Sequence, residues 1–337
     1  MISQSREDAR AGRSPSIAAA VNDLLPLSVV IPVFNKADIL PEVVRSLAAQ
    51  TIIDDAEIVF VDDASTDGSR NCLRALADRL PRCIIVSNAT NSGPAIRLNQ
   101  GAALARGRRI CLLDADVLPA PDAAERMIEA MVRTGAPMLH GRTTRVAVRQ
   151  DHLPRLPPLG CQAQVRVSDH PLKSVLRGGF VRMGWMVEAA LFREAGGCDE
   201  RIFIQDESLP LRLAARAGRI AWITAAVAQA PRVAFHVSSD RRQLHHDAFF
   251  AHYNLLRDRP DLPPGLRRGL AERCISTAWK AVRKGGLRRR RLPLLINYVL
   301  AKGGASFETA PALEALAEDF RLMKGIRRPA APLTAPQ

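Results

Sequence analysis

The stretch Ile110-Cys111-Leu112-Leu113-Asp114-Ala115-Asp116-Val117-Leu118 is an apolar run that ends in two carboxylates. Such a run reads as a strand buried on both faces, and an open α/β sheet binds its ligand at the carboxyl ends of such strands. Two acids one residue apart at that point suit a hard divalent cation whose other ligands come from substrate phosphates. By itself the pair says little. An Asp-x-Asp arises about once by chance in a chain this rich in aspartate, and two solvated acids in a strand-to-helix turn look the same.

Working outward, strand-like runs and helical spacings alternate. Leu27 to Phe34 reads as a strand stopped by Asn35, Asp38 to Gln50 as a helix with Pro41 in its first turn, and Ala56 to Val61 as a second strand. Ser69 to Leu80 follows as helix, Arg82 to Ser87 as strand, Gly93 to Ala105 as helix and Arg109 to Leu113 as strand. This alternation predicts an α/β fold with a largely parallel sheet built from βαβ units. Asp122 to Arg133 continues as helix and Met138 to Val148 as strand. Residues 149 to 183, rich in proline and glycine, read as long loops. Met186 to Ala195 and Leu209 to Ala217 read as helices closed by Gly196-Gly197 and Gly218. From about residue 245 the chain is helical and basic.

Composition sets further bounds. At 337 residues with 47% hydrophobic content, the chain can bury a sizeable core. No run approaches the roughly 18 to 20 apolar residues that span a bilayer. The amino terminus, with Arg6, Glu7, Asp8, Arg10 and Arg13, is not a secretory signal. Six scattered cysteines (72, 83, 111, 161, 198 and 274) show no zinc spacing and fit reduced thiols in a cytoplasmic protein. The net charge of +14 is concentrated: residues 267–302 hold eleven Lys or Arg against one acid, Glu272. Such a stretch attracts nucleic acid, anionic lipid or a polyanionic substrate, unless it is simply a solvated helix face.

Three other strand ends carry polar signatures like that of Asp114 and Asp116. These are Ile31-Pro32-Val33-Phe34-Asn35, then Val61-Asp62-Asp63-Ala64-Ser65-Thr66-Asp67-Gly68-Ser69, and then Asn91 to Gly101, whose helix amides can meet phosphate. Together with Gly196-Gly197-Cys198-Asp199-Glu200, Phe203-Ile204-Gln205-Asp206-Glu207, Leu211-Arg212 and Gly218, these segments closely resemble the family 2 glycosyltransferases, which have the GT-A fold. The likeness runs over roughly residues 27 to 240.

The resemblance implies a Rossmann-like nucleotide-binding sheet flanked by helices, an inverting transfer, and a nucleotide-sugar donor, most often a UDP-sugar. Asp63 would accept from the nucleobase, with Pro32 and Asn35 shaping that pocket, and Asp67 and Arg97 would lie near ribose or diphosphate. Asp116 would bind Mn²⁺ or Mg²⁺, Asp114 would face the ribose and sugar, and Asp206 would be the catalytic base. His236 lies where some members have a third metal ligand, although a lone His after an apolar pair is more often a core residue. Trp185 sits where an acceptor sugar can stack, but a buried aromatic is the better reading. One departure matters: Gln205 stands where the family usually has Glu. Gln keeps a hydrogen bond and loses a charge, which leaves Asp206 a weaker base, and Glu207 is the other candidate.

The implied organisation is an N-terminal arm (1–24), a GT-A catalytic domain (25–244) and a basic helical C-terminal region (245–327) with a tail (328–337). The catalytic domain divides into a nucleotide-sugar-binding half (25–120) and an acceptor half (121–244). The acceptor is expected to be a glycan or a lipid-linked saccharide. Leu287 to Leu300 joins the run Arg288 to Arg291 to the apolar Leu292-Pro293-Leu294-Leu295-Ile296, which suits docking on an anionic inner membrane face. A phosphate-ester hydrolase is disfavoured by Leu118, where aspartate-nucleophile phosphatases want Thr or Val. Nucleic-acid binding is disfavoured because only Trp279 and Tyr298 supply aromatics among the basic residues. A silent nucleotide-sugar-binding relative is disfavoured by the intact set Asp114, Asp116 and Asp206.

Overall fold

The computed structural model describes residues 25–147, 155–160, 163–178, 180, 184–232, 240–284, 296, 299 and 309–329. The expectations for His236, for the arm, for all of the tail beyond residue 329, and for the run Arg288 to Arg291 fall outside them.

Four strands form a parallel half-sheet: β1 (Leu25–Val33), β2 (Ala56–Asp62), β3 (Cys83–Ser87) and β4 (Gly107–Leu112), in the order β3-β2-β1-β4. The crossovers are α1 (Leu40–Ala48), α2 (Ser69–Leu76, extended by a 3₁₀ turn) and α3 (Pro94–Leu104). Every residue of β2 is buried, as helices on both faces require, and this is why its sequence is a continuous apolar run. Alternate residues feed two cores. Val30, Ile110 and Leu98 join the first, and Val29, Ile31 and Cys111 the second.

Past β4 the sheet becomes mixed. β5 (Leu118–Pro119) is a short edge, α4 (Ala123–Thr134) covers one face, and β6 (Met138–Val146) re-enters the sheet. Residues 149–183, expected as loop, contain β7 (Val165–Ser168) and α5 (Pro171–Arg177). The expected helix from Met186 to Ala195 begins as strand. β8 (Trp185–Glu188) lies antiparallel between β4 and β6, and only α6 (Ala189–Glu194) is helical. A short apolar run cannot say which periodicity it follows; here two neighbouring strands supplied the hydrogen bonds that decided it. α7 (Gln205–Ala214) starts four residues before the expected Leu209, at the polar turn, so Pro210 falls inside it. β9 (Ile220–Pro231) pairs with β5, β6 and β7 and completes the sheet.

The chain ends in α8 (Arg241–Asp258), α9 (Pro264–Arg283) and α10 (Thr309–Arg321). Phe249, Leu270, Cys274, Leu316 and Phe320 from these helices belong to the same apolar cluster as Val30 and Trp185. Part of the basic stretch is used in packing. Arg267 donates to the carbonyls of Leu256 and Arg259, and Arg273 to that of Leu176. No helix among the described residues is long and apolar enough to cross a membrane.

One polar knot fixes the half-sheet's register at its amino edge. Ser28 Oγ donates to the buried Glu57 at 2.6 Å and accepts from the Gly107 amide at 2.7 Å, so β1, β2 and β4 are tied at one level. The amide of Arg106 donates to the same Glu57 carboxylate at 2.5 Å. A Cβ on Gly107 would meet the Ser28 amide nitrogen at 2.4 Å, and that backbone cannot yield without breaking the pairing. Gly107→Ala is therefore expected to cost about 1–3 kcal/mol in urea denaturation. Gly218→Ala, with nothing within 4 Å of its Cβ position, should stay near the wild type.

Candidate active site

The strand ends open on one cavity of about 580 Å³. Its wall takes Pro32, Phe34, Asn35 and Lys36 from the end of β1, Asp63 from β2, Asn91 and Pro94 from the entry to α3, and Asp114 and Asp116 from β4. Arg145, Gln205, Asp206, Asp240, Gln243 and Arg327 close the other side. Of the expected donor residues, Pro32, Asn35, Asp63, Asp114 and Asp116 line this cavity together with the expected base, Asp206. Asp67 and Arg97 stand outside the wall.

The bonds of those two explain their positions. Asp67 Oδ1 accepts from the Ser69 amide and hydroxyl, and its Oδ2 accepts from the Ala37 amide at 2.9 Å. It joins the β1 and β2 turns. Arg97 Nε donates to Asp63 Oδ1 at 2.6 Å, and its other nitrogens donate to Thr90 O, Ser92 Oγ and Gln100 Oε1. Asp63 also accepts from the amides of Ser92 (2.8 Å) and Gly93 (2.9 Å). These bonds leave Oδ2 with one partner and acceptor capacity to spare.

Asp114 and Asp116 are held differently. Burial, chiefly, and the neighbouring Asp116 charge push Asp114 up to about 7, while Lys36 and Arg145 pull it down. Gln205 Nε2 donates to Asp114 Oδ1 at 3.4 Å. A Glu at 205 would set a third negative charge there, so the amide suits this carboxylate pair. Lys36 Nζ donates to Asp116 Oδ2 at 2.8 Å. Among the described residues there is no group of three or more His, Cys, Asp or Glu that could hold a metal. Two carboxylates beside an open cavity still fit Mn²⁺ or Mg²⁺, because substrate phosphates supply the remaining oxygens. That a cation already contacts Asp116 shows that the site stabilises positive charge.

Asp206 sits in the first turn of α7, where exposed amides and the helix dipole favour a carboxylate. The segment leading to it is set by groups far along the chain. Asn99 on α3 accepts from the Cys198 amide at 2.8 Å and donates to the Cys198 carbonyl at 3.0 Å. Arg212 donates to the carbonyls of Gly196 and Gly197. Asp247, fully buried on α8, accepts from the amides of Phe203 (3.2 Å) and Ile204 (2.7 Å). Gln243 donates to Asp247 and exchanges a pair of bonds with the Arg327 backbone. Sequence reading missed Lys36, Arg145, Asp247, Gln243 and Arg327. The signal for the α8 pair was the polar His245-His246-Asp247 set directly before Phe249-Phe250. Trp185 is buried against His140 and Phe180 and does not reach the cavity.

Glu207 faces away from the cavity. Burial first, then the Asp247 charge, push it up to about 7, against the pull of Lys280. Its unfolded carboxyl ionises near 4.5. Between the two values the folded chain keeps a proton that the unfolded chain has lost, so stability falls as pH rises through that window. Glu207→Gln should remove this contribution. Its melting temperature relative to the wild type is expected to rise from about pH 5 to about pH 8 in thermal denaturation.

Residues 28–181 match the family described as Glycosyl transferase family 2. The succinoglycan biosynthesis protein ExoO of Rhizobium meliloti is 33% identical over 149 residues, 42% of this chain and 42% of that protein. The chain therefore spans less than half of that relative's length. S. aureus TarS 1-349 in complex with UDP-GlcNAc shares the fold with a TM-score of 0.63 at 18% identity, over 80% of this chain and 78% of TarS 1-349. The mannosyltransferase PcManGT from Pyrobaculum calidifontis, in complex with GDP-Man and Mn²⁺, gives 0.56 at 18% identity, over 96% of this chain and 88% of that one. The architecture is the GT-A fold, with a helical C-terminal region.

Proposed function

We propose that this chain, whose residues 28–181 match glycosyl transferase family 2, moves a sugar from a nucleotide-diphosphate donor to an acceptor hydroxyl with inversion. The observation that carries the reading is the convergence of Asp114, Asp116 and Asp206 on one cavity, with Gln205 of α7 bonded to Asp114. Its size suits a ligand of this class. A UDP-sugar is the donor expected of the family, and complexes of the two structural relatives hold UDP-GlcNAc and GDP-Man. The acceptor is a hydroxyl of a glycan or lipid-linked saccharide.

Each residue's part follows from its chemistry. Asp63 Oδ2 accepts from the nucleobase, and the exposed Phe34 ring offers it an apolar face. Asp116, with Asp114 beside it, holds Mn²⁺ or Mg²⁺. When bound, the cation supplies Lewis acidity for the negative charge that gathers on the leaving diphosphate. Asp206 takes the proton from the acceptor hydroxyl as its oxygen attacks the anomeric carbon. The bond from that carbon to the diphosphate oxygen breaks on the opposite side, which inverts the configuration. His236 and the basic run Arg288 to Arg291 enter the reading only as expectations from sequence, for a third metal ligand and for membrane docking.

Two variants test this. Asp116→Ala should lose Mn²⁺-dependent UDP binding by calorimetry while its circular dichroism is unchanged; retained metal-dependent binding rejects the assignment. Asp206→Asn keeps the shape of the side chain and removes its basicity. Transfer should fall by about 10² to 10⁴ with donor affinity nearly unchanged. Glu207→Gln should remain active, and loss of transfer in that variant instead would move the base by one residue.

A further inference from the structure

Lys36 belongs to no motif, yet it makes the closest charged contact recorded for the carboxylate pair. Its Nζ lies 2.8 Å from Asp116 Oδ2; the Asp116 side chain is 9% exposed and that of Lys36 30%. The ammonium thus reaches from the open side of the cavity onto a buried carboxylate.

The backbone aims it there. Asn35 takes φ +51°, in the left-handed region that asparagine tolerates. Its amide donates to Ser65 Oγ at 3.0 Å, and its Oδ1 accepts from the Thr66 amide at 2.8 Å. The Lys36 amide donates to Ser69 Oγ at 2.7 Å, and the Ala37 amide to Asp67 Oδ2 at 2.9 Å. Four bonds lock the β1 turn onto the β2 turn, so the flexible lysine stem is the part left to move.

Asp116 is also the carboxylate that the divalent cation needs. Two cations at contact distance from one carboxylate repel strongly in a site shielded from water. We propose that Lys36 is the resident counter-cation of Asp116: it is displaced by the divalent ion and then binds the donor's diphosphate. This rests on the nucleotide-sugar reading of the cavity. An ammonium suits such an exchange because it is a compact charge with three rotatable donors on a long stem, which can leave a carboxylate for a nearby phosphate without moving the backbone. An arginine would hold the carboxylate through a rigid fork.

The exchange predicts two effects of opposite sign, on Mn²⁺ and on UDP. Mn²⁺ alone is titrated into wild type and Lys36→Gln, followed by the electron paramagnetic resonance signal of the free ion. UDP is titrated by calorimetry in the presence of saturating Mn²⁺. Lys36→Gln should bind Mn²⁺ about fivefold or more tightly, because a competing charge is gone. With Mn²⁺ bound it should bind UDP about tenfold more weakly, because the phosphates lose a charged donor. Lys36→Arg keeps the charge and should gain no Mn²⁺ affinity. Lys36→Met repeats both arms as a second uncharged variant, and circular dichroism checks that each variant is folded. Equal or weaker Mn²⁺ binding by both uncharged variants overturns the proposal, as does unchanged UDP binding or failure of every protein to bind Mn²⁺. Hydrolysis of a UDP-sugar and GDP-mannose panel by the wild type separates the two readings. Turnover with a failed Mn²⁺ arm removes only the role of Lys36, whereas no turnover on any donor removes the transferase reading.

Discussion

Buried aspartates that collect backbone amides hold this molecule's functional edge together. Asp63 gathers the amides of Ser92 and Gly93, Asp247 those of Phe203 and Ile204, and Asp122 those of Leu159 and Gly160. Asp199 accepts from the Arg201 amide and from Asn254. Each acid is at most 7% exposed, and an ionised carboxylate in that position is tolerable only when its oxygens have donors. Amides of an irregular loop meet the same requirement from the other side, since a buried N–H without an acceptor is costly. Each acid and its loop therefore need one another. Strand ends with no regular partners become rigid walls for this reason.

Against that background Asp114 and Asp116 stand apart. Among the described residues no backbone amide donates to either side chain; their bonds come from the side chains of Gln205 and Lys36. The difference is chemical. A carboxylate held by amides is fixed in place, though Asp63 keeps spare capacity on Oδ2, whereas one neutralised by a side chain can exchange partners. The upward push on Asp114 reflects the same fact, since burial beside a like charge is left partly uncompensated. Such uncompensated acids concentrate at functional sites. Here they are the two acids that face the cavity's contents without a backbone amide to hold them.

That division also explains how far the sequence could be read. The parallel half-sheet was legible because strands buried on both faces give continuous apolar runs, as in Ala56 to Val61, and because polar turns follow them at regular intervals. Asp114, Asp116, Asp63 and Asp206 could be found because each sits at such a turn. What failed were segments whose state is decided by distant partners. Met186 and Val187 are strand because β4 and β6 lie on either side, and nothing within Trp185 to Glu188 announces that. The resemblance puts Asp67 and Arg97 near the donor's ribose or diphosphate. Their oxygens and nitrogens are engaged with Ser69, Ala37 and Asp63, which no local pattern could disclose.

The C-terminal helices illustrate the same dependence over the longest range. Asp247 holds the two amides that lead into α7, and Gln243 holds Asp247 while bonding both ways to the backbone of Arg327. The segment after α10 is thus connected, through two buried side chains, to the turn that carries Asp206. The apolar cluster gives the connection its stiffness: Phe249 of α8 stacks on Phe320 of α10 at 4.3 Å between ring centroids. Packing of that kind leaves little freedom for a sliding helix, since interiors are close-packed and yield only at discrete cost. The orientation of Asp206 is consequently set by contacts more than a hundred residues downstream as well as by its own turn. The region that reads in sequence as a basic appendage from residue 245 contributes Arg327 to the cavity wall, beside Asp240 and Gln243 of the segment before it.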